Sequence, residues 1–202
     1  MNTSPTLSAR TSCNQRRSSP GIRRPAGGFT LVELLMVLAV IGILLSFAVP
    51  SFNALLGSSK LTAASNALLS SMHLARSEAI KRNGRVMLCK SADGRSCATA
   101  GGWEQGWIVF HDANDNGEHD SGELVIQRIQ PFADRVRVTG NSPVARYVSF
   151  VANGGTKLTG GGFQAGTVTV CDQAAPLIGA RQIVLSAVGR PRIQKINSTS
   201  CA

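Results

Sequence analysis

Apolar and polar positions divide the chain into three stretches. Phe29 to Val49 is an almost unbroken apolar run of 21 residues. As a helix rising 1.5 Å per residue it would be about 31 Å long, matching a hydrocarbon core of about 30 Å. From Ser51 to Asn83 the apolar positions thin to a stripe. Leu61, Leu68, Met72, Ala75 and Ala79 recur at spacings of 7, 4, 3 and 4; Leu69 and Ile80 widen the stripe, and Lys60, Arg76, Lys81 and Arg82 lie off it. No proline, and no glycine after Gly57, interrupts this stretch, and Asn83-Gly84 reads as a helix stop. The two stretches predict one long N-terminal helix with a bend or break near Pro50. After Gly84 the period changes to short β-like runs: RVMLC, GWIVFH, ELVIQRI, RVRV, RYVSFV, GTVTVC, QIVLSAV and RIQKI. Turns rich in Gly, Asn and Asp separate them. The pattern predicts an α+β fold, a long helix packed against a small, mostly antiparallel β-sheet or sandwich head.

Charge sharpens this division. The 202-residue chain carries a net charge of +10. Residues 1–28 hold Arg10, Arg16, Arg17, Arg23 and Arg24 and no acid, and arginines ahead of an apolar span hold its N-terminus in the cytoplasm. The C-terminal head is then outside, in the periplasm of a bacterium with two membranes. Residues 103–123 hold six acids and no Lys or Arg, whereas residues 124–202 hold nine basic and two acidic residues. A basic face suits nucleic acid or anionic lipid; the plainer reading is a soluble surface.

There are five cysteines, Cys13, Cys89, Cys97, Cys171 and Cys201, and no C-x-x-C pair, which argues against zinc-ribbon and thioredoxin readings. Without residues 1–28 four remain, an even number that fits disulfides in an oxidising compartment. Three pairings are open. Cys89 with Cys97 is preferred because it closes the short polar loop KSADGRS; Cys171 then takes Cys201 and anchors the C-terminus.

The apolar run has three readings. A secretory signal could be cut after Ser46-Phe47-Ala48, but 21 residues is long for its apolar region and Glu33 would lie inside it. A simple membrane anchor leaves Glu33 as an unexplained cost, about 2.5–3.5 kcal/mol at mid-bilayer and less near an end. The third reading rests on GFTLVELL, Gly28 to Leu35, which closely resembles the processing signature of type IV prepilins and type II secretion pseudopilins. The resemblance implies cleavage by a dedicated peptidase between Gly28 and Phe29, N-methylation of Phe29, and Glu33 as the fifth mature residue. It also implies an assembly role for Glu33, pairing with the Phe29 amine of a neighbouring subunit, and for Pro50 at the far side of the membrane. The physics agrees. The free amine, with a pKa near 7.7–8.0, is largely protonated at neutral pH, and a buried carboxylate is costly until it finds a cation. A leader of 28 residues is long for that family.

LCKSADGRSC, then GWIVFHDANDNGEHD, then a late strand ending in GR, resembles the GspH/FimT group of minor pilins and pseudopilins. This implies a type IV pilin-like fold. Within it, GRPRIQK, Gly189 to Lys195, resembles the C-terminal motif by which FimT-type minor pilins bind DNA during natural transformation. That resemblance puts Gly189, Arg190 and Arg192 on DNA-contacting positions, with Arg181 and Lys195 adding charge. If the segment is extended, Arg190 and Arg192 share a face about 6.6–6.8 Å apart, a spacing suited to forked hydrogen bonds with phosphate oxygens. The plainer reading is a solvated strand end. No aromatic residue follows Phe163, so a base-stacking platform on this segment is not expected, and binding should be phosphate-led.

Two other features remain. Asp112 to Glu123, DANDNGEHDSGE, fits the EF-hand calcium-loop pattern, with Asp112, Asn114, Asn116 and Glu123 as oxygen ligands and Gly117 at the sharp turn. Its flanks read as strands rather than helices, so a hairpin turn is preferred and no metal is assigned. His73, His111 and His119 are the three histidines, and no motif frames a nucleophilic serine. No catalytic residue, cofactor or enzymatic activity is expected.

The expected organisation is a basic leader (1–28), a membrane and assembly helix (29–50), its continuation (51–83) and a periplasmic β-rich head (84–202). The expected partners are other pilin or pseudopilin subunits, the prepilin peptidase, an inner-membrane assembly platform, membrane lipid before assembly, and DNA through phosphate contacts. The expected location is the inner membrane, as a single span, and then a fibre or its tip. Competing readings are a purely structural or priming pseudopilin without DNA binding, and an unprocessed membrane-anchored periplasmic binding protein.

Overall fold

The computed structural model describes residues 28–132, 135–173, 179–197 and 201. The arginines and Cys13 of the expected leader therefore lie outside the described residues. The chain divides into two units, residues 1–44 and residues 45–202. One helix, α1 (Leu31–Arg82), is followed by eight strands: β1 (Arg85–Lys90), β2 (Trp107–Asp112), β3 (Val125–Ile129), β4 (Val136–Gly140), β5 (Tyr147–Phe150), β6 (Gly166–Asp172), β7 (Ala180–Leu185) and β8 (Pro191–Ile196). The strands form two four-stranded sheets, ordered β3-β2-β1-β5 and β4-β6-β7-β8. Every paired neighbour is antiparallel. All eight expected β runs carry a strand, and the α+β class holds.

Both helix ends are set by local chemistry. Thr30 caps the start: its Oγ1 accepts the Glu33 N–H at 3.2 Å, so Thr30 and Glu33 occupy the N-cap and N3 positions of a T-x-x-E sequence. At the other end Asn83 adopts φ +50, the Asn83 N–H donates to the Ile80 carbonyl, and the Gly84 N–H reaches the Ala79 carbonyl at 3.2 Å. This is the six-to-one and five-to-two bonding that closes helices on a left-handed residue. Of the bend or break expected near Pro50, there is no break: the helix runs through that position. A proline removes one i→i−4 hydrogen bond, and the turns on either side keep theirs.

The stripe Leu61, Leu68, Met72, Ala75 and Ala79 is fully buried. It joins the inward residues of both sheets in one core: Val86 and Leu88 of β1, Trp107 and Val109 of β2, Val148 and Phe150 of β5, Val168 and Val170 of β6, Ile183 and Leu185 of β7. Ile80 does not widen the stripe as expected; it is half exposed. Strand alternation sends Met87, Cys89, Ile108 and Phe110 to the opposite face of the first sheet, where they form a second, smaller cluster. One polar knot crosses the main core. The buried Ser71 hydroxyl donates to Gln127 Oε1 at 2.7 Å and accepts the Trp107 indole N–H at 3.0 Å.

Candidate functional site

The β7–β8 hairpin carries the basic C-terminal motif. Its turn is fixed from both sides. Gly189 has φ +74, and its N–H donates to the Ser186 carbonyl at 2.8 Å. A Cβ at Gly189 would collide with the Gly154 carbonyl oxygen. The Thr156 N–H donates to the Ala187 carbonyl at 3.1 Å, and the Thr156 hydroxyl donates to the Gln164 carbonyl at 2.6 Å and lies 3.2 Å from the Ser186 carbonyl. The turn is thus clamped to the loop at residues 153–157. Gly189 itself is buried in the turn, which it positions.

Strand register then sorts the basic residues. Arg192 lies opposite Val184, Gln194 opposite Gln182, and Lys195 opposite Arg181. Residues directly opposite share a face, and successive residues along a strand change face. Arg192 and Gln194 therefore face outward, with the Gln194 amide donating to Gln182 Oε1 at 3.0 Å. Lys195 and Arg181 belong to the other face. Arg181 is buried there, with its guanidinium 3.3 Å from the Ser58 hydroxyl of α1. The expected five-residue set is thus split. Arg190, Arg192 and, on the other face, Lys195 are exposed, and among the described residues none of the three forms an ion pair. Arg181 is withdrawn into the fold, because charge addition along the sequence ignores which face each residue takes. β8 is also a sheet edge, where Pro and charge discourage strand addition whatever else they do.

The same turn borders an open depression of about 230 Å³ lined by Val151, Thr156, Lys157, Phe163, Ala187 and Val188, among others. Phe163 is 80% exposed. Sequence reasoning set this ring aside, because it precedes the motif in the chain. Only the antiparallel bridge Lys157–Phe163 and the clamp at Thr156 reveal that it lies beside the turn.

At the other end of the chain Gly28 and Phe29 are exposed, and nothing lies within 4 Å of the space a Gly28 Cβ would fill. Glu33 sits in the first helical turn. Large apolar side chains are exposed along the helix from Phe29 to Leu56, among them Leu35, Ile43, Phe47, Phe52 and Leu55. Among the described residues, α1 is the one helix long and apolar enough to cross a membrane.

The Asp112–Glu123 turn lies between β2 and β3, and its side-chain oxygens serve its own backbone. Asp112 accepts the N–H groups of Asn116 and Gly117 at 3.1 and 3.0 Å. Glu123 accepts those of Ala113 and Asp120 at 2.8 and 3.1 Å. Asn114 and Asn116 accept the N–H groups of Asn116 and Glu118. Burial pushes the Asp112 carboxyl up, opposed by the Gly117 N–H, whereas the Asn114 and Asn116 amides pull Asp120 down. Among the described residues no group of three or more His, Cys, Asp or Glu is arranged to hold a metal ion. Two disulfides are present. Cys89–Cys97 spans Cα atoms 5.5 Å apart, and Cys171–Cys201 spans 5.8 Å. Inside the first loop the Asp93 carboxylate accepts the Ser96 and Arg95 N–H groups and the Ser91 and Ser96 hydroxyls.

An exposed apolar helix of this length, leading into a unit whose core it shares with two antiparallel sheets, defines a pilin-like protein. The model of the prokaryotic N-terminal methylation motif matches residues 23–49. The model described as type II transport protein GspH matches residues 64–189, and the chain belongs to that family. Arg190, Arg192 and Lys195 lie just past the matched stretch. A pilin-like protein, PilA1 of Thermus thermophilus, is 39% identical over 98 residues, covering 48% of this chain; the match spans about half, 54%, of that relative's length. The type IV minor pilin FimU of Pseudomonas aeruginosa shares the fold, with a TM-score of 0.53, 19% identity, and coverage of 70% of this chain and 96% of FimU. The minor pseudopilin EpsH of the Vibrio cholerae type 2 secretion system aligns with a TM-score of 0.46 at 9% identity, over 67% of this chain and 97% of its own. The protein is a pilin-like member of the type II transport GspH family, with the fold of a type IV minor pilin. Its N-terminal apolar helix and methylation motif fit an inner-membrane-anchored pilin.

Proposed function

We propose that this subunit retains DNA on a periplasmic pilus or pseudopilus through Arg190 and Arg192. In this reading a prepilin peptidase cuts between Gly28 and Phe29, Phe29 is N-methylated, and an inner-membrane platform adds the subunit to the fibre. Glu33 sets register by pairing with the Phe29 amine of a neighbouring subunit, and the β-rich unit is periplasmic. No catalysis is involved.

The observation that carries the DNA reading is the exposed Arg190/Arg192 pair, without ion-pair partners among the described residues, on a turn held by Gly189 and Thr156. Guanidinium groups match phosphate oxygens through two parallel hydrogen bonds, and a fixed turn lowers the ordering cost of presenting them. Two neutralised phosphates contribute about −1.8 to the slope of log affinity against log salt on duplex DNA.

The test is fluorescence anisotropy of the full chain in detergent micelles with labelled DNA across a salt series. Replacing both arginines, Arg190→Ala with Arg192→Ala, should weaken binding and flatten the slope by about that amount. Unchanged affinity and slope would instead mark the two cations as guards of the β8 edge and leave a purely structural pseudopilin. Processing is checked separately by mass spectrometry in cells carrying the peptidase, where retention of residues 1–28 would favour an unprocessed anchored protein.

A further inference from the structure

We infer that the nucleic acid taken at this hairpin is single-stranded, with an unpaired base stacked on the Phe163 ring. This rests on the DNA reading above and names its substrate class.

Phe163 is out of place as a core residue. The other described aromatics after Gly84 (Trp103, Trp107, Phe110, Phe132, Tyr147 and Phe150) are buried or half-buried, whereas Phe163 is 80% exposed. Its position is nonetheless fixed. Phe163 bridges Lys157, the Leu158 N–H donates to the Gly162 carbonyl at 2.7 Å, and the Gly161 N–H donates to the Leu158 carbonyl at 2.9 Å. The Gln164 N–H donates to the Thr156 carbonyl, and that residue is the one that clamps the β7–β8 turn. An exposed aromatic side chain carried on a hydrogen-bonded backbone is a platform rather than part of a frayed end.

The surroundings decide what fits on it. Lys157, directly opposite Phe163 in the bridge, shares its face and lines the same depression. Val188, 63% exposed, forms another wall, and Arg190 follows two residues later. None of the lining residues is acidic. Residues 135–202 contain one acid, Asp172, which is buried and lies 3.6 Å from Arg135. An apolar floor with Lys157 in its wall, on a turn that leads into Arg190 and Arg192, complements a polyanion that also carries flat apolar faces. In a duplex those faces are stacked on one another and closed to a side chain. Only an unpaired base offers one.

The experiment measures anisotropy of the full chain in detergent micelles with a thymidine oligonucleotide of about 12 nucleotides and with a duplex of matching phosphate count. Phe163→Ala should weaken single-strand binding by about 5- to 150-fold, the range of one lost base stack, and leave duplex binding and the salt slope unchanged. Phe163→Trp should restore single-strand binding. The arginine double variant should flatten the slope on both ligands. If duplex binds and Phe163→Ala changes nothing on the single strand, the stacking inference fails and the phosphate reading survives. If neither ligand binds, both fail. If Phe163→Ala alters only crosslinking between copies of the chain, the ring belongs to a subunit contact and the inference is overturned.

Discussion

Substituting Gly189 by alanine isolates the contact on which presentation of the arginine pair depends. The added methyl group meets two obstacles. Gly189 has φ +74, a region that an L side chain occupies at a cost of about 1–3 kcal/mol. Its Cβ would also collide with the Gly154 carbonyl oxygen and stand 3.3 Å from the Gly155 Cα, both backbone atoms that cannot rotate away. Pushing the 153–157 loop aside is an overpacking cost of about 1–3 kcal/mol more. Gly161→Ala is the control: Gly161 has φ +93, but nothing lies within 4 Å of its Cβ position, so it carries the strain without the collision. For a domain of this size each kcal/mol lowers the melting temperature by about 2–4 °C. Gly189→Ala should therefore melt about 2–12 °C below Gly161→Ala when followed by circular dichroism. It should also lose DNA affinity, since the clamp that orients Arg190 and Arg192 is displaced. Melting temperatures within a degree of each other would refute the close approach, and with it the positioning role given to Gly189.

Two further outcomes follow from buried and capped polar groups. Ser71→Ala removes the partner of the buried Trp107 indole N–H and of the half-buried Gln127 Oε1, and should lower stability by about 1–3 kcal/mol in urea titration. Asp93 is held far below the usual carboxylate range, chiefly by the Ser96 N–H and then by its other donors. Its folded value lies under its unfolded value of about 3.9, so its stabilisation is complete above that pH and lost as pH falls through the folded value. Asp93→Asn should thus be less stable than the parent near neutrality. The two should converge as the medium becomes strongly acidic, as read from denaturation midpoints across pH.

The parts of the fold that depend on local period were readable from the chain. Leu61, Leu68, Met72, Ala75 and Ala79 were placed by spacing alone and are the buried face of α1. Each strand was marked by its β-branched and aromatic run, and Asn83-Gly84 by its tolerance of left-handed geometry. What failed depended on partners distant in sequence. Ile80 has the right spacing but lies past the edge of the buried stripe. Arg181 adds to the charge of its segment, yet its register against Lys195 turns it toward Ser58 of α1. Phe163 became part of the site through a bridge and a clamped turn, neither of which has a signature in a single sequence. At Pro50 the helix does not break, because a proline costs a helix one bond and neighbouring turns carry it through.

The Cys171–Cys201 link has a mechanical consequence. β8 is the outermost strand of its sheet, and a tug on cargo held at its hairpin would tend to peel it from β7. The crosslink bypasses β7 and fastens the chain end to β6, the next strand in. A peeled strand is therefore still on a short leash. Its return is the closing of a hairpin, a matter of about 1–10 μs, rather than a fresh search by a free end. If the hairpin grips DNA as proposed, that grip can slip under load and reset without the subunit unravelling.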